Sequence, residues 1–397
     1  MINVAIIGLG NISPAHIHSY TKFPERCKIT AFVDIYPEKA EASAKTHNID
    51  AKIYASHEDI LDDPTIDLVS ICTPPYCHAE IAIDFLKAGK HVIVEKPMAP
   101  SLKECDEMIA AAKESGKVFS VIAQNRFRDP ISNLKAVLDS GKIGRILHAQ
   151  IDSFWWRGHC YYDLWWRGNW EKEGGGCTLN HAVHHIDMLG WIMGLPMQVT
   201  SVITNTNHDN AEVEDLSVAI MQYDKGALAQ VTSSVVHHGE EQQLIFQGEY
   251  ARVSAPWRVC AAASTGNGFP KAHEALEKEI QAYYETLPSL EHIAHAGQID
   301  NVLTAIEESI EPLIDGESGR MTVELITAIY KAGILKQTVS LPIAKDDAYY
   351  TAEGIQANAP HFFEKSASVE QFSASTITVG SDYGNYGKKL EEKEGDL

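Results

Sequence analysis

From Asn3 to Ile7 the chain is apolar and β-branched with little alternation, the pattern of a strand buried on both faces. It runs straight into GLGNIS and then into the mixed polar and apolar spacing of a helix. A second strand, KITAFVD, ends at Asp34. Two more, around Val69 to Cys72 and His91 to Val94, are separated by a helix and end in polar or proline-rich loops. Val118 to Ala123 adds a further strand. Strands alternating with helices predict a doubly wound parallel sheet, with ligands at the carboxyl ends of its strands.

After Gln124 the pattern changes, and the first domain boundary is placed there. PISNLKAVLDSGKIG reads as a helix ended by glycine. Between Met197 and Ala255, segments such as QVTSVITN, LSVAIMQY and ALAQVTSSVV alternate as antiparallel strands do, with turns at Asp224 to Gly226 and at Gly239. Two amphipathic helices, Gln298 to Glu308 and Thr322 to Thr338, are expected to close this second domain. Beyond Pro342 the pattern lapses, and the last residues, GKKLEEKEGDL, are charged. The expected organisation is a parallel α/β domain over 1–124, a second α/β domain over 125–340, and a polar extension over 341–397. That extension is expected to be an exposed or disordered tail, or instead an arm that wraps a neighbouring subunit through Tyr349, Tyr350, Phe362 and Phe363.

Composition narrows the partners. With 397 residues, nearly half of them apolar, the chain can build two cores, and its formal charge of −21 argues against nucleic acid or an anionic membrane surface. Seven cysteines without a C-x-x-C pair suggest neither a disulfide framework nor a cysteine metal site, and a reducing, cytoplasmic compartment is expected. No targeting segment or membrane span is legible.

The candidate chemistry begins at the first turn, which is G-x-G-x-x-S. Gly8 permits the tight turn, Gly10 lets backbone approach a pyrophosphate, Asn11 and Ile12 lie beside it, and the small Ser13 allows close packing. Asp34 stands where a carboxylate accepts hydrogen bonds from an adenosine ribose and repels a 2′-phosphate, so NAD is expected rather than NADP. The later strand ends place Thr73, Pro74 and His78 beside the cofactor, and Glu95, Lys96 and Pro97 near its reactive end. A lysine beside a cationic nicotinamide loses proton affinity and can exchange a proton near neutral pH. Asn125 and Arg126, after another strand end, are assigned to cofactor and substrate respectively.

GGGCTLNHAVHHIDMLGW, Gly174 to Trp191, holds three histidines and an aspartate within seven residues. Helical spacing puts Asn180, His184 and Asp187 on one stripe and His181 and His185 on the next. The second pair has the spacing of a helical zinc site, but Ala182 replaces the glutamate that H-E-x-x-H requires, so no metal is assigned and both are read as lining or packing residues. Before this lies FWWRGHCYYDLWWRGNWEKE, in which WWRG occurs twice. Its aromatic faces can stack on a sugar ring while Tyr161, Tyr162, Arg157 and Arg167 supply directional hydrogen bonds. Trp155, Trp156 and Trp170 are read as packing the loop.

Together these motifs resemble the GFO/IDH/MocA oxidoreductases, through Gly8 and Gly10, Asp34, CTPPYCH at Cys72 to His78, EKP at Glu95 to Pro97, and GGG followed by H-x-x-D at His184 to Asp187. The resemblance spans about residues 1 to 340. It implies an N-terminal Rossmann domain, a C-terminal α/β domain with an open, mainly antiparallel sheet, and assembly as a homo-dimer or homo-tetramer. It also implies that Lys96 and His184 act on a substrate hydroxyl or carbonyl, with Asp187 either supporting His184 or held in a structural hydrogen bond. Trp166 and Arg167 resemble a cofactor- or substrate-proximal element, here assigned to the cofactor. Many members carry Asp where this chain has Asn180, and an amide can orient a sugar hydroxyl but cannot share a proton. Lys96, Arg126, Tyr161, Asn180 and His184 are thus expected to hold the substrate. The expected reaction is NAD-dependent oxidation of a secondary alcohol on a neutral sugar, cyclitol or glycoside. The alternatives are glycoside cleavage through transient oxidation and a non-catalytic dinucleotide-binding regulator.

Overall fold

The computed structural model describes residues 1–370, 372 and 383. Six strands, β1 (Ile2–Ile7), β2 (Cys27–Val33), β3 (Lys52–Tyr54), β4 (Leu68–Ile71), β5 (His91–Val94) and β6 (Phe119–Val121), form one sheet in the order β3-β2-β1-β4-β5-β6. Every pairing is parallel. Helices α1 (Ser13–Tyr20), α2 (Pro37–His47), α3 (His78–Lys87) and α4 (Leu102–Ser115) connect the strands. β4 is buried along its whole length, which is why its sequence does not alternate. The order reverses at β1 and β4, so the crevice at their carboxyl ends is where a dinucleotide fits.

Helix α5 (Asp129–Asp139) leads to a second sheet of β7 (Ile146–Phe154), β8 (Gln198–Thr204), β9 (Leu216–Gln222), β10 (Leu228–Ser234), β11 (Gln242–Gly248), β12 (Ala251–Ala255), β13 (Arg258–Ser264), β14 (Pro270–Ala272) and β15 (Val339–Ser340). Its order is β14-β13-β12-β11-β7-β10-β9-β8-β15, antiparallel except where β7 meets β10. The α/β class with a parallel sheet followed by an open, mainly antiparallel one is therefore as expected. Between β7 and β8 come the aromatic insert and two helices, α6 (Cys177–Asn180) and α7 (Val183–Met193).

Three expectations need correction. The histidine segment is not one helix, because the chain breaks at His181 and Ala182 and the proposed stripes hold only from Val183 onward. After α8 (Glu274–Thr286), the next two helices do not simply close the second domain. In α9 (Ala294–Glu308), Ile299, Val302 and Leu303 pack into the same core as Val4, Ile6 and Ile17 of the first domain. In α10 (Gly316–Leu335), Gly319 lies against Val121 and Met98. Farther along the same helix, Leu325 meets Gly190 of α7. Amphipathic spacing reports that one face is buried, not which sheet buries it. The extension, finally, is in part packed on its own chain. Ile343, Tyr349 and Tyr350 are buried, a short helix α11 (Ala352–Asn358) buries Ile355, and Val369 bridges to Leu164. Phe363 is exposed, and GKKLEEKEGDL lies outside the described residues.

Candidate functional site

The cofactor end is built from the β1–α1 turn. Gly8 has φ +88°, and a Cβ there would stand 3.0 Å from the Cys72 and Thr73 backbone, so only glycine lets the two strand ends approach. At Gly10 a Cβ would meet nothing within 4 Å, leaving the backbone open to a ligand. Asp34 closes the pocket at the end of β2: its Oδ2 accepts from Leu9 N–H at 2.7 Å and its Oδ1 from Tyr36 N–H at 2.9 Å. The Thr73 hydroxyl is buried without a hydrogen-bond partner among the described residues. An open glycine turn, an adjacent carboxylate and an orphaned hydroxyl fit a dinucleotide. His78 serves this region indirectly, with ring nitrogens 2.9 Å from the Pro97 carbonyl and 2.8 Å from that of Thr73, joining the two loops.

At the end of β5, Lys96 shares one crevice with His184. Lys96 Nζ donates to the Asn180 carbonyl at 3.3 Å, and His184 has no hydrogen bond to a described residue. Burial lowers the Lys96 pKa, opposed by Glu95 and assisted by Arg167. Burial and then Lys96 hold His184 well below the ordinary histidine value, so it is neutral at pH 7. A neutral imidazole beside a destabilised ammonium is suited to exchanging a proton with a hydroxyl.

Several neighbours are engaged elsewhere. Arg126, expected on the substrate, is 3 % exposed and forms a bidentate pair with Asp187, at 2.9 Å from Nε and 2.7 Å from Nη2. Thr322 Oγ1 also donates to Asp187, at 3.2 Å. Asp187 is thus structural rather than a support for His184, because a buried guanidinium needs both of its oxygens. The Asn180 side-chain amide donates to the Gly175 carbonyl at 2.9 Å and so braces the glycine turn. Asn125 Oδ1 accepts from Arg128 Nε at 3.0 Å. His185 is fully buried, with Nε2 3.0 Å from the Tyr383 hydroxyl.

The glycine triplet is fixed by a residue that no local motif signals. Glu214 is fully buried and accepts from Gly176 N–H at 3.0 Å, Thr178 N–H at 2.9 Å and the Tyr330 hydroxyl at 3.0 Å. A Cβ at Gly176 would lie 1.9 Å from the Glu214 carbonyl. His16 and His295 also escape sequence reading. His16 bonds Ser70 Oγ at 2.7 Å and Glu95 Oε1 at 2.9 Å, while His295 Nε2 lies 3.4 Å from the same oxygen. Glu95 is therefore buried beneath Lys96, whose N–H it accepts at 3.1 Å, rather than presented to a ligand. Among the described residues this is the His and carboxylate cluster with metal-ligand spacing; His181 and His185 do not form one.

The aromatic insert forms the opposite wall. Trp155 and Trp170 are buried as expected, but Trp156 is 44 % exposed. The Arg167 guanidinium lies 4.2 Å from the ring centres of both Tyr161 and Trp166. Its Nη1 donates to the Tyr161 hydroxyl and to Glu173, 3.1 Å away. Burial pushes Glu173 up to about 7 against the pull of Arg167. His181 Nε2 is 3.3 Å from the Tyr161 hydroxyl, and its Nδ1 is buried without a partner among the described residues.

Family models match both halves: residues 2–123 match an oxidoreductase family with an NAD-binding Rossmann fold, and residues 131–254 match the GFO/IDH/MocA C-terminal domain. The chain belongs to the GFO/IDH/MocA oxidoreductase family. It is an oxidoreductase whose cofactor is NAD. Among GFO/IDH/MocA relatives, an uncharacterized oxidoreductase, YrbE, of Bacillus subtilis is 30% identical over 59% of this chain and 67% of its own. The myo-inositol 2-dehydrogenase of Thermotoga maritima is 25% identical over 86% of this chain and 98% of its own. The WlbA dehydrogenase from Bordetella pertussis, solved in complex with NADH and UDP-GlcNAcA, superposes with a TM-score of 0.73 at 27% identity, covering 86% of this chain and 99% of that one. Among the described residues, no helix is long and apolar enough to cross a membrane.

Proposed function

We propose that this family member oxidises a secondary alcohol on a sugar or cyclitol, with Lys96 and His184 handling the hydroxyl. The observation that carries this reading is their shared crevice at the carboxyl end of β5. There, among the described residues, Lys96 Nζ is held by the Asn180 carbonyl and His184 has no hydrogen bond, while Arg126, Asp187, the Asn180 amide and His78 are tied into the frame. Gly8, Gly10, Asn11, Ile12, Asp34, Thr73 and Pro74 would hold NAD, which when bound supplies the hydride acceptor. An imidazole nitrogen of His184, neutral at pH 7, takes the hydroxyl proton. Lys96 Nζ hydrogen-bonds the same oxygen and steadies the charge that develops on it. The myo-inositol dehydrogenase and WlbA relatives support a polyhydroxylated substrate. The second sheet leaves Val202, Val218, Ile220 and Leu228 exposed, which supports self-association into a homo-dimer or homo-tetramer.

The test is NADH absorbance after mixing protein and NAD with inositols, aldoses and glycosides, with free aglycone assayed in the same wells. NADH from one substrate group is the expected result. Aglycone release without net NADH would instead indicate cleavage through transient oxidation, and neither signal from any substrate would remove the assignment.

A further inference from the structure

Around the aromatic insert the local charge runs against that of the whole chain, which is −21. Arg157, Arg167 and Lys96 all lie near enough to His181 to suppress its protonation, after burial itself. The carboxylates facing this group each have a partner: Glu95 pairs with His16, Glu173 with Arg167, and Glu240 with Arg157. Lys96 Nζ has no carboxylate partner among the described residues. Counted by pairs, the wall keeps one positive charge, and protonation of Glu173 adds another.

The geometry of the two arginines is more specific than their charge. Arg167 uses only Nη1 for its hydrogen bonds to described residues, on Tyr161 and Glu173, whereas Arg157 is engaged by Trp156 O, Glu240 and the Tyr161 hydroxyl. On Arg167 the edge formed by Nε and Nη2, which matches the two oxygens of a carboxylate, has no partner among the described residues. Arg126 shows the contrast, since it spends that same edge on Asp187 and is buried. The Arg157 and Arg167 side chains are 15% and 20% exposed, while Glu240 and Glu173 behind them are 5% and 1% exposed. Both guanidiniums flank one ring, at 5.6 Å and 4.2 Å from the centre of Tyr161.

We infer that the substrate is an acidic sugar whose carboxylate seats on the free edge of Arg167, with Arg157 beside it, next to Tyr161 and His181. This rests on the sugar-oxidoreductase reading, replaces the neutral ligand expected from composition, and moves Arg167 from the cofactor to the substrate. The carboxylate then fixes the ring so that one hydroxyl lies between Lys96 and His184.

The experiment uses matched sets of D-glucose, D-glucuronate and methyl D-glucuronate, and the galactose and N-acetylglucosamine equivalents. Each is tested for NADH formation and for binding to the NAD-loaded protein by calorimetry. The free acids are expected to exceed their esters and neutral partners by about tenfold or more in kcat/KM or affinity. Arg167→Met should abolish that preference, and Arg167→Lys should retain part of it. Equal handling of acids and esters, or acids that neither bind nor react, would overturn the inference. NADH formed from neutral sugars alone would do so while leaving the oxidoreductase reading intact.

Discussion

Lys96 and His184 owe their assigned roles to unfavourable surroundings as much as to identity. Burial and then Lys96 depress the His184 pKa, so this base is already neutral at its ordinary titration point. The acid limb of kcat/KM for alcohol oxidation should therefore fall well below pH 6.5, and a limb centred there would exclude His184 as the base. Burial also lowers Lys96, so its ammonium is lost below the ordinary lysine range, and under the proposed mechanism the alkaline limb should move down with it. Lys96→Ala should cut kcat by about 10²–10⁴-fold with the NAD dissociation constant within a few-fold of wild type. Near-normal turnover would remove Lys96 from the mechanism. Both residues are proposed from the sequence because each sits in a short motif at a strand or helix end. Arg126 was misread for the same reason: position after a strand reports proximity to the cleft, not the partner that Asp187 provides 61 residues later.

At the scale of elements, the Arg126–Asp187 pair fastens the residues after β6 to α7, the helix that carries His184. Arg126→Ala should destabilise the fold by about 3–5 kcal/mol, because it strands a buried carboxylate. The double change Arg126→Met with Asp187→Leu should recover most of that loss in a denaturant titration; an equally unstable double variant would show that the pair is not the cause. The glycine triplet makes a similar point about legibility. Its existence was plain in the sequence, yet its cause is the close approach of Glu214, just before β9, and of Tyr330 in α10, far along the chain. Local spacing likewise ran one helix through His181 and Ala182, where the chain instead turns so that His181 meets Tyr161.

Over the whole molecule, α9, α10 and the extension return to surfaces built much earlier in the chain. Tyr350 bonds Asp106 of α4, and Trp170 Nε1 donates to the Pro360 carbonyl at 2.9 Å. Truncation after Ser340 should therefore lower the thermal midpoint, since each large buried side chain lost contributes about 1.5–3 kcal/mol; an unchanged midpoint would show that 341–370 is dispensable. The sequence alone determined the parallel sheet, the glycine turn, Asp34 and the second antiparallel sheet, because strand periodicity and turn chemistry act between near neighbours. Only the tertiary structure decided which sheet each late helix covers, which arginine is buried in a pair and which keeps an open edge. It also decided that His16 and His295 meet at Glu95. Those outcomes depend on packing and charge pairing between residues far apart in the chain, which no local pattern encodes.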